Sequence, residues 1–333
     1  MRVAFFSTKS YDKESFNNRL ENTKHEFTYF EPKLDINTIA LAKGFDAICS
    51  FVNDHLDIKT LTKLSEMGVK NILLRCAGYN QVDLKKAKEL GFKICRVPAY
   101  SPEAVAEHAL ALLMTLSRKT HKAYNRVREN NYSLEGLTGF NIHGKKAGII
   151  GTGAIGKAFC KIMIGMGCKV VAYDLYENEE LKILGVQYIP MDELLAESDI
   201  ISLHCPLTPD TFHLINQKTL TLMKDGVVII NTSRGALIET KAVIKALKSK
   251  KVGNLGIDVY EQEEDLFFQN RSEEILQDEQ ISRLMAFPNV LVTGHQAFLT
   301  NEALAQIAET TLKNLDELDA GKELTNEVLW KEE

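Results

Sequence analysis

The 333-residue chain lacks closely spaced cysteine pairs, a basic surplus and any long apolar run, and each lack removes a class of function. Its six cysteines, Cys49, Cys76, Cys95, Cys160, Cys168 and Cys205, include no C-x-x-C pair. They fall mostly in or beside apolar segments, so they read as buried free thiols, and neither a disulfide framework nor a metal site is expected. A formal net charge of −5, with Lys and Arg scattered rather than striped, leaves no footprint for nucleic acid. The longest largely apolar run, Ala109 to Leu116, is far too short to cross a membrane. The first residues, M-R-V-A-F-F-S-T-K-S, soon turn polar and read as a β-strand rather than a leader, so the cytoplasm is the expected compartment. No internal repeat or low-complexity tract is visible.

With 45% hydrophobic and 26% charged residues the composition is that of a globular protein, and the length suggests two domains. Short apolar strands alternate with amphipathic helical stretches, which points to a parallel α/β architecture. In the first part, strands are expected at Val3–Phe6, Phe27–Phe30, Ala47–Ser50, Ile72–Leu74 and Phe92–Cys95, with helices near Ile36–Ala42, Ile58–Met67 and Asp83–Leu90. A helix starting at Pro102, with Ser101 as its cap, runs to about Leu116 and is apolar nearly all round, as suits a core or a subunit interface. Six further strands are expected at Ala147–Ile150, Lys169–Asp174, Ile200–His204, Val227–Asn231, Leu255–Val259 and Val290–Thr293. A last amphipathic helix covers residues 300 to 319 and is expected to return to the first domain. The acidic stretch Glu261 to Gln280 reads as a long loop or lid.

Residues 147 to 156, A-G-I-I-G-T-G-A-I-G, place Gly151, Gly153 and Gly156 in G-x-G-x-x-G spacing between a strand and a helix. That pattern suits a dinucleotide: a tight turn, close backbone approach to a pyrophosphate, and a helix packed hard on its strand. The helix N-terminus offers N–H groups to the phosphates. Asp174, 18 residues after Gly156 and at the end of the next strand, is placed to accept a ribose hydroxyl. Ligands of doubly wound sheets lie beyond the carboxyl ends of the strands. Those ends carry Thr232, Ser233 and Arg234, then Asp258 with Glu263 a few residues on, then His295. The Arg234 fork matches a carboxylate, His295 can move a proton near neutral pH, and Glu263 would orient an imidazolium. With a nicotinamide, this is equipment for reducing a 2-oxo acid. His204, taken alone, reads as structural.

Six segments together, R-C-A-G-Y-N-Q-V-D-L (75–84), V-P-A-Y-S-P-E-A-V-A-E-H (97–108), S-L-E-G-L-T-G-F (133–140), N-T-S-R-G-A-L-I (231–238), D-V-Y-E-Q-E-E-D-L-F-F (258–268) and G-H-Q-A-F-L-T (294–300), resemble the D-isomer-specific 2-hydroxyacid dehydrogenases. The likeness spans essentially the whole chain. It implies an NAD-binding Rossmann domain over 101–298, with a dimerisation helix and arm at about 102–140. It also implies a flavodoxin-like substrate domain split between 1–100 and 299–333. The implied catalytic set is Arg234, Glu263 and His295, with Ala77, Gly78, Tyr100, Phe298 and Phe51 around the substrate. The implied NAD contacts are Gly151, Gly153, Ala154, Ile155, Gly156, Asp174, His204, Cys205, Pro206, Thr232, Ser233 and Asp258. The leading expectation is NADH-dependent reduction of pyruvate to D-lactate by a homodimer or homotetramer that needs neither metal, membrane nor nucleic acid. Sister enzymes acting on glyoxylate, hydroxypyruvate or branched 2-oxo acids share this equipment, and a large Phe51 favours a methyl side chain. Formate dehydrogenase would pair the histidine with glutamine. An NAD(H)-sensing corepressor would carry an added interaction segment, and none is visible.

Overall fold

The structure is a computed structural model and describes residues 1–330 other than Asn22. The chain divides into two compact units, Met1–Ser101 with Phe298–Glu333, and Pro102–Ala297. Residues 331–333, at the end of the substrate domain expected from the sequence, lie outside the described residues.

The first unit is built on β1 (Arg2–Phe5), β2 (Glu26–Tyr29), β3 (Ala47–Ser50), β4 (Asn71–Leu74) and β5 (Lys93–Arg96). All pairings are parallel and the order is β2-β1-β3-β4-β5, the flavodoxin-like order. Every residue of β3 is buried, as a strand covered on both faces requires. Two helices begin where the sequence offers a cap: Asp57 accepts from the Thr60 N–H, and Asp83 from the Lys86 N–H. The helix expected over 36–42 is reduced to one 3₁₀ turn, Ile39–Ala42. There the Asp35 carboxylate caps the N–H groups of Asn37 and Thr38, and the turn it starts does not extend into an α-helix. The helix Asn301–Asp319 lies against this unit: Ser15 donates to the Leu304 carbonyl and Asn314 to the Arg96 carbonyl, both at 2.9 Å. At its centre the Arg75 guanidinium is fully buried, 4.4 Å from the Phe5 ring and 4.5 Å from the Phe51 ring, with Asp12 at 3.3 Å.

The second unit contains β6 (Lys146–Ile150), β7 (Lys169–Tyr173), β8 (Gln187–Tyr188), β9 (Ile200–Leu203), β10 (Val227–Asn231), β11 (Val252–Ile257) and β12 (Val290–Val292). Their order is β12-β11-β10-β9-β6-β7-β8, again all parallel. This is the doubly wound dinucleotide order with a strand added at one edge, and it reverses between β6 and β9. The sequence predicts six strands here. The seventh, β8, is two residues long, too short for an alternating pattern to register. Helix Pro102–Arg118 buries Ala106, Ala109, Leu112, Leu113 and Leu116 against this sheet, while Ala111 stays exposed. No described helix is long and apolar enough to cross a membrane.

Candidate active site

The turn after β6 is shaped by what packs behind it. Gly151 has a φ of +91°, and a Cβ there would lie 2.5 Å from the Cys205 nitrogen. A Cβ on Gly156 would lie 1.9 Å from the Gly151 carbonyl oxygen. Only glycine allows the chain leaving β9 and the helix Ala154–Gly165 to meet the turn this closely. Gly153 is different, because a Cβ there would meet nothing within 4 Å. Open space therefore stands over the N-terminus of a 12-residue helix, where an anion is favoured. Ala154 and Pro206 are exposed and Ile155 half-buried beside it. The Ser233 hydroxyl ties the chain after β10 to the Cys205 carbonyl at 2.7 Å, and the buried Thr232 hydroxyl has no partner. A tight glycine turn, an open helix end and an unsatisfied hydroxyl are the features a bound dinucleotide would complete.

Asp174 follows β7. Its Oδ2 accepts from the Thr152 N–H at 2.5 Å and the Thr152 hydroxyl at 3.1 Å, and its Oδ1 from the Tyr176 N–H at 3.1 Å. His204 closes the floor of the turn, its N–H donating to the Ile150 carbonyl and its ring 5.0 Å from Phe159. Its Nε2 meets the Ser202 hydroxyl at 2.8 Å, and its Nδ1 is buried without a partner. Burial pushes this imidazole down to about 3.

The edge that carries Glu263 and His295 lies beyond β11 and β12. His295 adopts the left-handed region, with φ of +53°. Its Nδ1 is 2.9 Å from Glu263 Oε1, and Glu263 Oε2 accepts the Tyr260 N–H at 2.9 Å. Both side chains keep about a fifth of their surface open, 18% and 22%. Asp258 is wholly buried behind them. Its carboxylate takes the Thr293 hydroxyl at 2.5 Å and the N–H groups of Gln296 and Ala297 at 2.9 and 2.8 Å, while its carbonyl takes the His295 N–H at 2.7 Å. His108 Nε2 lies 3.4 Å from the same carboxylate and 3.0 Å from Thr293 Oγ1. Burial pushes the Asp258 carboxyl up, but the hydrogen bonds from His108, Thr293, Gln296 and Ala297 outweigh it and hold it below its ordinary value. Arg234 is anchored separately, its Nη1 donating to the Ser233 carbonyl at 2.7 Å.

The remaining predicted residues sit in the first unit. The Phe51 N–H donates to Asp54 at 2.6 Å, and the Phe51 ring is 6.1 Å from Phe298, which is 6.2 Å from Tyr100. The turn at Ala77 and Gly78 is fixed from behind: Arg96 Nη1 donates to the Ala77 carbonyl at 2.7 Å and the Cys76 thiol to the Gly78 carbonyl.

Sequence reasoning missed His108, Thr152 and Asp54. The signal for His108 was present, since it is the histidine in a helix that otherwise reads as apolar.

Residues 110–297 match the family described as D-isomer specific 2-hydroxyacid dehydrogenase, NAD binding domain. The chain belongs to that family. It is therefore an oxidoreductase with an NAD-binding unit. It is 53% identical over 331 residues to a 2-hydroxyacid dehydrogenase homolog of Haemophilus influenzae, covering 99% of each chain. It is 52% identical over 329 residues to the D-lactate dehydrogenase of Escherichia coli, covering 99% of this chain and 100% of that one. The apo-structure of the Escherichia coli enzyme superimposes with a TM-score of 0.91 at 50% identity, over 99% of this chain and all of that one.

His204 makes stability depend on pH. Its folded value is depressed to about 3, whereas an unfolded histidine titrates near ~6.5. The unfolded chain binds the extra proton between those values, so this stability is complete above ~6.5 and is lost as pH falls toward the folded value. Between about pH 7 and about pH 5 the loss is about 1–2 kcal/mol. His204→Gln should flatten the fall of Tm over that range. Superimposable curves of Tm against pH would rule the linkage out.

Proposed function

We propose that this chain is a D-lactate dehydrogenase that reduces pyruvate with NADH and runs the reverse oxidation. The observation that carries the reading is the 2.9 Å contact of His295 Nδ1 with Glu263 at the carboxyl edge of an NAD-binding sheet. The Escherichia coli relative, half identical over its full length, is a D-lactate dehydrogenase, which supports the choice of substrate.

NADH supplies the hydride when it is bound at Gly151–Gly156, with Thr232 and Ser233 beside it. Glu263 takes the Nδ1–H of His295 and is itself fixed by the Tyr260 N–H, so Nε2 is the nitrogen left to give a proton to the carbonyl oxygen. Asp258 is a positioning residue, because it holds the backbone on both sides of His295. Arg234 offers two parallel donors to the substrate carboxylate. Phe51, Tyr100 and Phe298 form the apolar wall for the methyl group. Asp174 accepts a ribose hydroxyl and rejects a 2′-phosphate. The first unit is then the substrate domain and the compartment the cytoplasm. A homodimer or homotetramer is supported by exposed apolar side chains along 102–140: Ala111 and Tyr124, Val127, Tyr132 and Leu134.

Initial rates with NADH against a panel of 2-oxo acids should rank pyruvate first and yield D-lactate, and Phe51→Ala should shift preference toward longer side chains. Background rates with every acid, or an L product, would overturn the function; an unchanged ranking in Phe51→Ala would remove that residue's role. Glu263→Gln should lower kcat for pyruvate reduction about a hundredfold with a smaller change in KM. A variant with wild-type kcat would show that His295 does not depend on its carboxylate. Sedimentation equilibrium should give a dimer or tetramer, and a monomer at micromolar concentration would reject the assembly.

A further inference from the structure

The carboxylate assigned to cofactor choice is the end of a hydrogen-bond chain that reaches across three segments. The Asn178 N–H donates to the Tyr188 hydroxyl at 2.9 Å, and Tyr188 donates to Thr152 Oγ1 at 3.0 Å. Thr152 donates in turn to Asp174 Oδ2 at 3.1 Å. Each hydroxyl accepts one hydrogen and gives one, so the direction of the chain is set from the backbone donor to the carboxylate. Thr152 is buried, inside the glycine turn, and Tyr188 lies on β8. With Oδ2 taken by the N–H and O–H of Thr152, and one position of Oδ1 taken by Tyr176, the carboxylate can neither rotate nor turn away. Its remaining acceptor capacity is left for a donor outside the chain.

Three lysines on the two helices that follow β6 and β7 are already paired. Lys157 and Lys161 both pair with Glu180, and Lys182 pairs with Glu177 at 2.6 Å and Glu179 at 2.7 Å. A 2′-phosphate dianion has no hydrogen to offer a fixed carboxylate and is repelled by its charge. A 2′-hydroxyl meets an acceptor already in place.

We propose that Thr152 and Tyr188 are specificity-determining residues, positioning Asp174 so that the site takes a nicotinamide dinucleotide with a free 2′-hydroxyl and refuses the 2′-phosphorylated form. The proposal rests on the assignment of Asp174 to the adenosine ribose. Polar side chains that only packed the turn would affect both cofactors alike, whereas an oriented acceptor affects one.

The test is the Kd of NADH and of NADPH for the substrate-free protein, read by nucleotide fluorescence. Tyr188→Phe and Thr152→Val should each weaken NADH about fivefold and narrow the NADH/NADPH preference by a similar factor, as loss of one hydrogen bond in a charge-terminated chain requires. Thr152→Ser, which keeps the hydroxyl, should keep the preference. In an Asp174→Ala background, adding Tyr188→Phe should change nothing further. If Asp174→Ala narrows the preference while Tyr188→Phe and Thr152→Val keep it, the positioning role is wrong and the Asp174 assignment stands. If Asp174→Ala leaves the preference intact, that assignment fails and the proposal with it. Equal weakening of both nucleotides by Tyr188→Phe and Thr152→Val also rejects the proposal, because it marks a packing effect.

Discussion

The carboxylate of Asp258 sits wholly out of water at the end of β11, and a charge in that position is tolerated only if donors replace its solvent. The donors come from three places. Thr293 lies just beyond β12, Gln296 and Ala297 lie in the turn that follows it, and His108 comes from the long helix beneath the sheet. Satisfying one buried charge therefore shapes the turn that carries His295. The left-handed backbone at His295 is the visible consequence: such a conformation costs on the order of 1–3 kcal/mol. Hydrogen bonds to a charged group, worth about 1.5–3 kcal/mol each, readily offset it. A turn pinned this way delivers the imidazole to Glu263 without relying on either flexible side chain to find the other.

Three histidines in one unit show how surroundings, not residue type, decide chemistry. His204 is enclosed among Phe159, Ser202 and the glycine turn, with no acid beside it, and burial keeps it neutral. His108 donates into an acid that is already crowded with donors and serves to hold it. His295 is paired with an acid that is itself partly open, Glu263, whereas the acid beside His108 is wholly buried. A paired imidazole with part of its ring open at a strand's carboxyl end can deliver a proton to something outside the protein.

What the sequence makes legible follows the same physics. Strands buried on both faces are continuous apolar runs, and the glycines of the turn are spaced by a backbone requirement, so both can be read along the chain. His295 and Glu263 can be paired from their positions at neighbouring strand ends. Features built from distant segments or from too few residues cannot. The helix Ser10–Leu20 buries only Asp12 and Phe16, so it carries no stripe. Strand β8 is two residues long, and Tyr188 matters through a hydroxyl whose partners come from other strand ends. Nothing in the local sequence marks Arg75 as a buried cation, which Phe5, Asp12 and Phe51 enclose from separate segments. Segment 36–42 has helical spacing and a cap at Asp35, yet only one 3₁₀ turn forms there.

A unit of almost two hundred residues, Pro102–Ala297, interrupts the other. The chain leaves the first unit after Ser101 and returns at Phe298. Within that unit the rings of Tyr100 and Phe298 lie 6.2 Å apart, so the exit and the re-entry are held side by side. Closure entropy grows only logarithmically with the length of an inserted segment, and it is smaller still when the insert is itself compact with neighbouring ends. The helix Asn301–Asp319 then secures the return through Ser15, His25 and Arg96, residues from before the interruption. The aromatic pair at the crossing is joined to Phe51, whose position is set by Asp54 and Arg75. The aromatic cluster of Phe51, Tyr100 and Phe298 therefore joins the two ends of the split unit, and a substitution there would be felt at both.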